Sequence, residues 1–244
     1  MTQKIRKLGR ILSKLLPTGT ILPIISGPLK GYKWIVGAAA GEGKGLSTIF
    51  NLGEPEQFAI AKSLSHQNGT VFDIGANVGL YSLLFSKYSD QVYAFEPLPR
   101  NLKYLYEGIK NNNITNISIV PCAVSDSHGL LKFSEGDNCA IGKISEFGQY
   151  VVIGISLDQF VDAYKQIPHL IKIDVEGAEL NVLKGSSQLL HNYHPTILLS
   201  THSELLKTQC LDYLESLDYQ RIIPLNSHSI EEATEFALIY RNPG

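Results

Sequence analysis

The sequence predicts an α/β fold: a mostly parallel sheet with helices on both faces. Three observations carry that expectation. From Thr70 onward, short apolar runs alternate with segments of helical period, the pattern of repeated strand–helix units. The run Val71-Phe72-Asp73-Ile74 passes into Gly75-Ala76-Asn77-Val78-Gly79 and then Leu80-Tyr81-Ser82-Leu83-Leu84, which reads as a strand, a tight glycine turn and a helix start. Three apolar runs end in acids, Asp73, Glu96 and Asp174. In open sheets of this kind, ligands sit outside the carboxyl ends of the strands.

Taken in order, residues 1–50 form a lead-in and residues 51–244 the main domain. Met1–Leu16 carries Lys4, Arg6, Lys7, Arg10 and Lys14 with no acid, and Ile5, Leu8, Leu12, Leu15 and Leu16 recur at helical spacing. A basic amphipathic helix of this type can lie on an anionic membrane surface, so residues 1–16 allow peripheral membrane contact, beside the readings of a first helix packed on the domain or a frayed tail. Residues 17–50 are rich in Pro and Gly, with a strand-like piece at Tyr32–Val36. Gly37–Ser47 resembles a phosphate loop, but Gly45 follows Lys44 where that motif needs Ser or Thr. Pro55–Leu64 reads as a helix.

The alternating part then predicts strand Val71–Ile74, helix Leu80–Lys87, strand Gln91–Phe95, helix Arg100–Asn111 and strand Ile117–Val120. Asn111-Asn112-Asn113 stops the helix before it. Ala123–Ser134 reads as a turn and a short strand, and the polar, glycine-containing Glu135–Gly148 as a mobile loop. Next come strand Val151–Ile155, a short helix from Ser156, strand Leu170–Ile173 and one helix over Ala178–Leu190. Strand Thr196–Ser200, helix Glu204–Leu217 and a hairpin of Gln220–Ile223 with Phe236–Tyr240 complete the chain. The hairpin adds one antiparallel strand.

Composition bounds the function. The 244 residues are 44% hydrophobic with a net charge of −2. Without a basic excess, nucleic acid is not expected as a partner. Cys122, Cys139 and Cys210 are scattered and odd in number, which argues for a reducing, cytoplasmic setting and against a disulfide framework. No run approaches the roughly 20 apolar residues of a membrane span. Three glycosylation-type triplets, from Asn68, Asn113 and Asn116, read as chance without a secretory signal.

The glycine loop discriminates between cofactors. A dinucleotide loop places three glycines against a pyrophosphate. Here only Gly75 and Gly79 are present, and Asp73 precedes them. A carboxylate is unfavourable beside a pyrophosphate and favourable beside the ammonium of S-adenosylmethionine, which has no phosphate. Glu96, at the end of the second apolar run, can accept both hydroxyls of a ribose. A nicotinamide-dependent enzyme on the same sheet is the rival these features disfavour.

At Ile171-Lys172-Ile173-Asp174-Val175-Glu176-Gly177-Ala178-Glu179, followed by Leu183-Lys184-Gly185, the chain resembles the FkbM-type methyltransferases. Phe72–Gly79, Phe95-Glu96-Pro97, and Ala123-Val124-Ser125-Asp126 with Gly129 resemble that family too, as does the lead-in Gly27-Pro28-Leu29-Lys30-Gly31. The similarity spans about residues 50–203. It implies a class I methyltransferase (Rossmann-like) fold with seven strands. It also implies S-adenosylmethionine as cofactor and O-methylation of a sugar, glycan or secondary-metabolite hydroxyl. By the same resemblance Asp73, Gly75, Asn77 and Gly79 line the amino-acid end of the cofactor and Glu96 holds the ribose. Ala123 and Asp126 border the adenine, and Asp174 lies beside the methyl group and acceptor. The chain departs from the pattern at Leu199-Ser200-Thr201-His202, where no acid ends the strand.

An aliphatic hydroxyl is a poor nucleophile, so its methylation profits from a positioned base or a metal. Asp174, Glu176 and His202 are the catalytic candidates, with Glu179 beside them. On a helix begun near Gly177, Glu176 and Glu179 share a face. Asp174 could alternatively cap that helix. Asp174, Glu176 and His202 are also an oxygen-rich set with one imidazole, of the kind that takes a divalent ion, but no spacing demands one and no metal is predicted. Nitrogen or carboxylate acceptors, and a catalytically silent cofactor-binding scaffold, remain as alternatives.

Overall fold

Strand β3 (Thr70–Ile74) organises the molecule because both of its faces are buried. Phe72 and Ile74 point to one side and Val71 and Asp73 to the other, and all four are fully buried. Successive side chains of a strand alternate faces, so each central strand serves two cores. Burying a large apolar side chain is worth about 1.5–3 kcal/mol, and a strand covered on both sides gains this at nearly every position.

The computed structural model describes residues 16–39, 45–135, 142–144 and 148–240. The lead-in contributes the antiparallel pair β1 (Ile21–Pro23) and β2 (Lys33–Ile35), the short helix α1 (Leu46–Ile49) and α2 (Pro55–Leu64). After β3 come α3 (Leu80–Tyr88), β4 (Gln91–Phe95), α4 (Pro99–Asn111) and β5 (Ile117–Val120). Then follow β6 (Ala123–Val124), β7 (Gly129–Glu135), β8 (Gly142–Ile144) and β9 (Tyr150–Ile155). The chain continues through α5 (Leu157–Tyr164), β10 (Leu170–Ile173), α6 (Glu179–Lys184), α7 (Ser187–Tyr193) and β11 (Thr196–Ser200). It closes with α8 (Glu204–Glu215), β12 (Arg221–Pro224) and β13 (Glu235–Ile239).

Seven strands make the main sheet in the order β12-β13-β11-β10-β3-β4-β5. Strand β13 pairs antiparallel with both of its neighbours, and every other pairing is parallel. The chain runs outward from β3 through β4 to β5 and returns on the other side of β3 as β10. The topological switch therefore lies between β3 and β10, where a ligand crevice is expected. One core packs Phe72, Ile171, Ile173, Ile197 and Leu199 under α5, α6, α7 and α8. The opposite core packs Val71, Leu170 and Leu198 under α3, α2 and the lead-in.

Three expectations need correction. The predicted helix Ala178–Leu190 is two helices broken at Gly185. A Cβ at Gly185 would lie 2.1 Å from the Ser125 carbonyl oxygen, and the Gly185 carbonyl accepts from the Asp158 N–H at 3.1 Å. The helix is interrupted where another segment packs directly on its backbone. The strand Val151–Ile155 is real but lies outside the parallel sheet, in a separate four-stranded sheet ordered β6-β9-β7-β8. Glu135–Gly148, expected as a loop, contains β8, which pairs with β7. The basic helix of residues 1–16 falls, but for Leu16, outside the described residues. No helix among the described residues is long and apolar enough to cross a membrane.

Candidate active site

The carboxyl ends of β3, β4 and β10 open onto a cavity of about 320 Å³, within the range of small-molecule sites. Its floor is the turn after β3. Gly75 has φ +77°, and a Cβ there would lie 2.0 Å from the Asp174 carbonyl oxygen. The turn therefore needs glycine both for its conformation and for backbone contact with the strand across the switch point. Asn77 follows in the left-handed region, at φ 52°.

Glu96, at the end of β4, faces the cavity with 4% exposure. Its Oε2 accepts from the Asn77 N–H and its Oε1 from the Leu98 N–H, both at 2.8 Å. The Asn101 side chain is a further donor to this carboxylate, which leaves one of its roughly four lone-pair sites open. Burial raises the carboxyl to a pKa of about 7, against the lowering pull of Leu98, Asn101 and Asn77. Leu98, Ala123 and Phe133 make a small apolar cluster on this side, and all three line the cavity.

The other end is ionic. Lys172 and Asp73 are partners across the β10–β3 ladder and both are buried. The Lys172 Nζ lies 3.8 Å from Asp73 Oδ1 and 3.3 Å from Asp174 Oδ2, and stands over the Tyr81 ring. Burial works against the lysine charge, but Asp174 and Asp73 outweigh it and hold its pKa above the usual value. Asp73 accepts from the Ser82 hydroxyl at 2.5 Å. Burial pushes its carboxyl above the ordinary range, although Lys172 pulls it down.

Past Asp174 the chain turns through Glu176, at φ 55°, and Gly177, at φ 109°. Backbone strain of this kind, in a residue that is neither glycine nor asparagine, clusters at ligand and active sites. Helix α6 starts only at Glu179, so Glu176 is a loop residue and does not share a helical face with Glu179. Ala178, not Asp174, is the N-cap. His202, just beyond β11, joins this loop. Its Nδ1 lies 2.8 Å from Glu179 Oε1, and its Nε2 is 3.2 Å from Glu176 Oε2 and 3.6 Å from Asp174 Oδ1. Glu179 is fully buried and its Oε1 also accepts from the Gly177 N–H at 2.9 Å. The hydrogen bond to Glu179 raises the His202 pKa most; burial opposes, and Asp174 and Glu176 add to the rise. Burial likewise raises Glu176, although His202 pulls it down.

The sequence-derived residues fall into groups. Gly75, Asn77, Glu96, Ala123, Asp174 and Glu176 line the cavity. Asp73 lies beneath its floor, fully buried. Gly79 is the N-cap of α3, packed on Leu105. Asp126 is exposed and accepts from the Asn181 side chain at 3.1 Å. His202 reaches the site through Asp174 and Glu176. Lys172 lines the cavity as well; its signal in the sequence is a lysine two residues before Asp174 within an otherwise apolar strand, which once buried requires a charged partner. Tyr81, which donates to Glu54 at 2.8 Å, also lines the cavity and carried no readable signal.

The profile of the Methyltransferase FkbM domain matches residues 73–221, which include the turn after β3, Glu96, the Asp174 loop and His202. The chain belongs to the FkbM methyltransferase family. It is similar to the hexuronic acid methyltransferase AglP of Haloferax volcanii, with 29% identity over 60% of this chain and 62% of that one. It is also similar to the methyltransferase sdnD of Sordaria araneosa, with 28% identity over 48% of this chain and 60% of the other. The chain spans about six-tenths of the length of the curated relatives it matches. Among solved structures, the FkbM methyltransferase of Methylobacillus flagellatus superposes with a TM-score of 0.55 at 18% identity, covering 83% of this chain and 56% of that one. The TYW2 protein of M. jannaschii, solved in complex with AdoMet, gives 0.52 at 15% identity, over 92% and 84%. At these identities the FkbM chain shares the class I methyltransferase fold with both.

Proposed function

We propose that this FkbM chain is an S-adenosylmethionine-dependent O-methyltransferase acting on a hydroxyl of a sugar, glycan or small metabolite. The observation that carries the reading is Glu96. It is a buried strand-end carboxylate, fixed by two backbone N–H groups and the Asn101 side chain, and it faces a cavity whose other wall is apolar. That acceptor suits a ribose hydroxyl, with an adenine beside Leu98, Ala123 and Phe133. The turn through Gly75 and Asn77 would bound the amino-acid end, with Asp73 beneath it. The cofactor supplies a methyl group on a sulfonium, which makes it electrophilic.

The chain's own residues supply position and proton transfer. The cavity walls hold the reactants in line, which can account for a large part of the acceleration. Asp174 and Glu176 line the end of the cavity away from Glu96, and His202 backs them. Both are carboxylates lining that end, so activation of the acceptor hydroxyl, by taking its proton or by holding a cation against it, is assigned to this cluster. The likeness to a hexuronic acid methyltransferase favours a sugar acid among possible acceptors.

The test is calorimetric titration with S-adenosylmethionine, its demethylated product and NAD in parallel. Binding of the first two, lost in Glu96→Ala, is the expected result. Binding of NAD alone would remove the methyltransferase reading.

A further inference from the structure

We infer that Asp174, Glu176 and His202 form a site for one divalent metal ion, with Glu179 as its orienting partner. One ligand atom from each of the three can be chosen so that all lie within 4.8 Å of one another. Metal–ligand bonds of about 2.1 Å put neighbouring ligand atoms about 3.0 Å apart and opposite ones about 4.2 Å apart. The separations of 3.2 and 3.6 Å from the His202 Nε2 to the two carboxylates fall in that range.

The atoms left over are the ones a metal needs. Asp174 gives Oδ2 to Lys172 at 3.3 Å and keeps Oδ1 for the cluster. Glu179 is fully buried and holds the His202 Nδ1 at 2.8 Å, which leaves Nε2 turned to the two carboxylates. A carboxylate holding the far nitrogen of an imidazole is the usual support of a metal-bound histidine. The second oxygen of Glu179 is buried with no hydrogen-bond partner among the described residues, so this acid is held to the site through its other oxygen, which meets His202 and the Gly177 N–H.

A proton satisfies this arrangement poorly. An imidazolium has two N–H groups; one meets Glu179, and the other can face only one of Asp174 and Glu176. Three carboxylates and one imidazolium still sum to a charge of −2, and Lys172 is already shared between Asp73 and Asp174. A dication meets the imidazole and both carboxylates at once. Two oxygens and one imidazole nitrogen suit a first-row ion such as manganese or zinc. Asp174 and Glu176 also line the cavity, so the ion's remaining positions would border the space assigned to the acceptor. Only that last consequence rests on the functional reading above; binding of the ion does not.

The experiment is electron paramagnetic resonance of the full chain titrated with manganese(II) chloride, where the free-ion signal disappears on binding. Saturable binding of one ion per chain is expected, with hyperfine coupling to a directly bound imidazole nitrogen, a readout that needs no variant. Glu176→Gln and His202→Ala should abolish it, Glu179→Gln should weaken it about 10–100-fold, and Asp162→Asn, in an exposed ion pair on α5, should leave it unchanged. Absence of saturable binding, absence of the nitrogen coupling, or undiminished binding in a folded Glu176→Gln/His202→Ala chain would overturn the site. Titrating the same samples with S-adenosylmethionine separates the two readings: manganese bound without cofactor keeps the metal site and removes the cofactor assignment.

Discussion

Glu96 is the residue whose chemistry is most exposed to test. Its folded pKa of about 7 lies above the ordinary 4.5, so the folded state holds its proton over a pH range in which the unfolded chain has released it. The stability this contributes is complete below pH 4.5 and is lost as pH rises through about 7. Urea midpoints of the ligand-free chain should carry that slope, and Glu96→Gln should flatten it. Hydroxyl donors favour the carboxylate, so affinity for S-adenosylmethionine should rise through about pH 7 in the parent and not in Glu96→Gln. Gly75→Ala places a methyl against the Asp174 carbonyl and forces a positive φ on alanine. A cost of at least about 1–3 kcal/mol in urea unfolding is expected. Lys172→Met should lower stability by isolating Asp73, and adding Asp73→Asn should recover part of the loss, a coupling of about 0.5–3 kcal/mol. Much of the site was legible because strand-end acids and a glycine turn are local patterns. The role of Glu179 was not, because its partner His202 comes from another element and no spacing links the two.

Among elements, α7 shows how far local signals reach. Its own N-cap, Ser186, makes no side-chain cap. Asp158, on α5, instead accepts from the backbone N–H groups of Gln188 and Leu189 at 3.1 and 2.9 Å. Asp158→Ala should therefore cost about 1 kcal/mol, the usual loss for a cap, in the denaturation midpoint. Ser156, which caps α5 locally with Gln159 in a reciprocal box, shows the opposite case, in which the cap is written in the four residues themselves. The strands and helices from Thr70 to Val120 were legible for that reason: each is bounded by its own glycine, proline or asparagine signals. The break at Gly185 was not, since it answers to Ser125 in a distant segment. The sheet holding β9 was missed because an alternating strand carries no mark of which sheet it joins.

On the scale of the whole molecule, seven strands and two cores converge on one switch point, and the acids sit where the topology sends them. The order β10-β3-β4 follows from repeated strand–helix units, whereas the small β6-β9-β7-β8 sheet is an addition that brings Phe133 to the cavity wall. The contact between Gly75 and the Asp174 carbonyl joins the two halves of that cavity through backbone alone, with no side chain to absorb a displacement. A ligand that shifts the turn after β3 must shift the loop that carries Asp174 and Glu176. The two ends of the pocket are in that case thermodynamically linked, and linkage is reciprocal: whatever factor the first ligand gives the second, the second returns to the first. Titrating either ligand with the other already bound should change its affinity by the same factor in both directions.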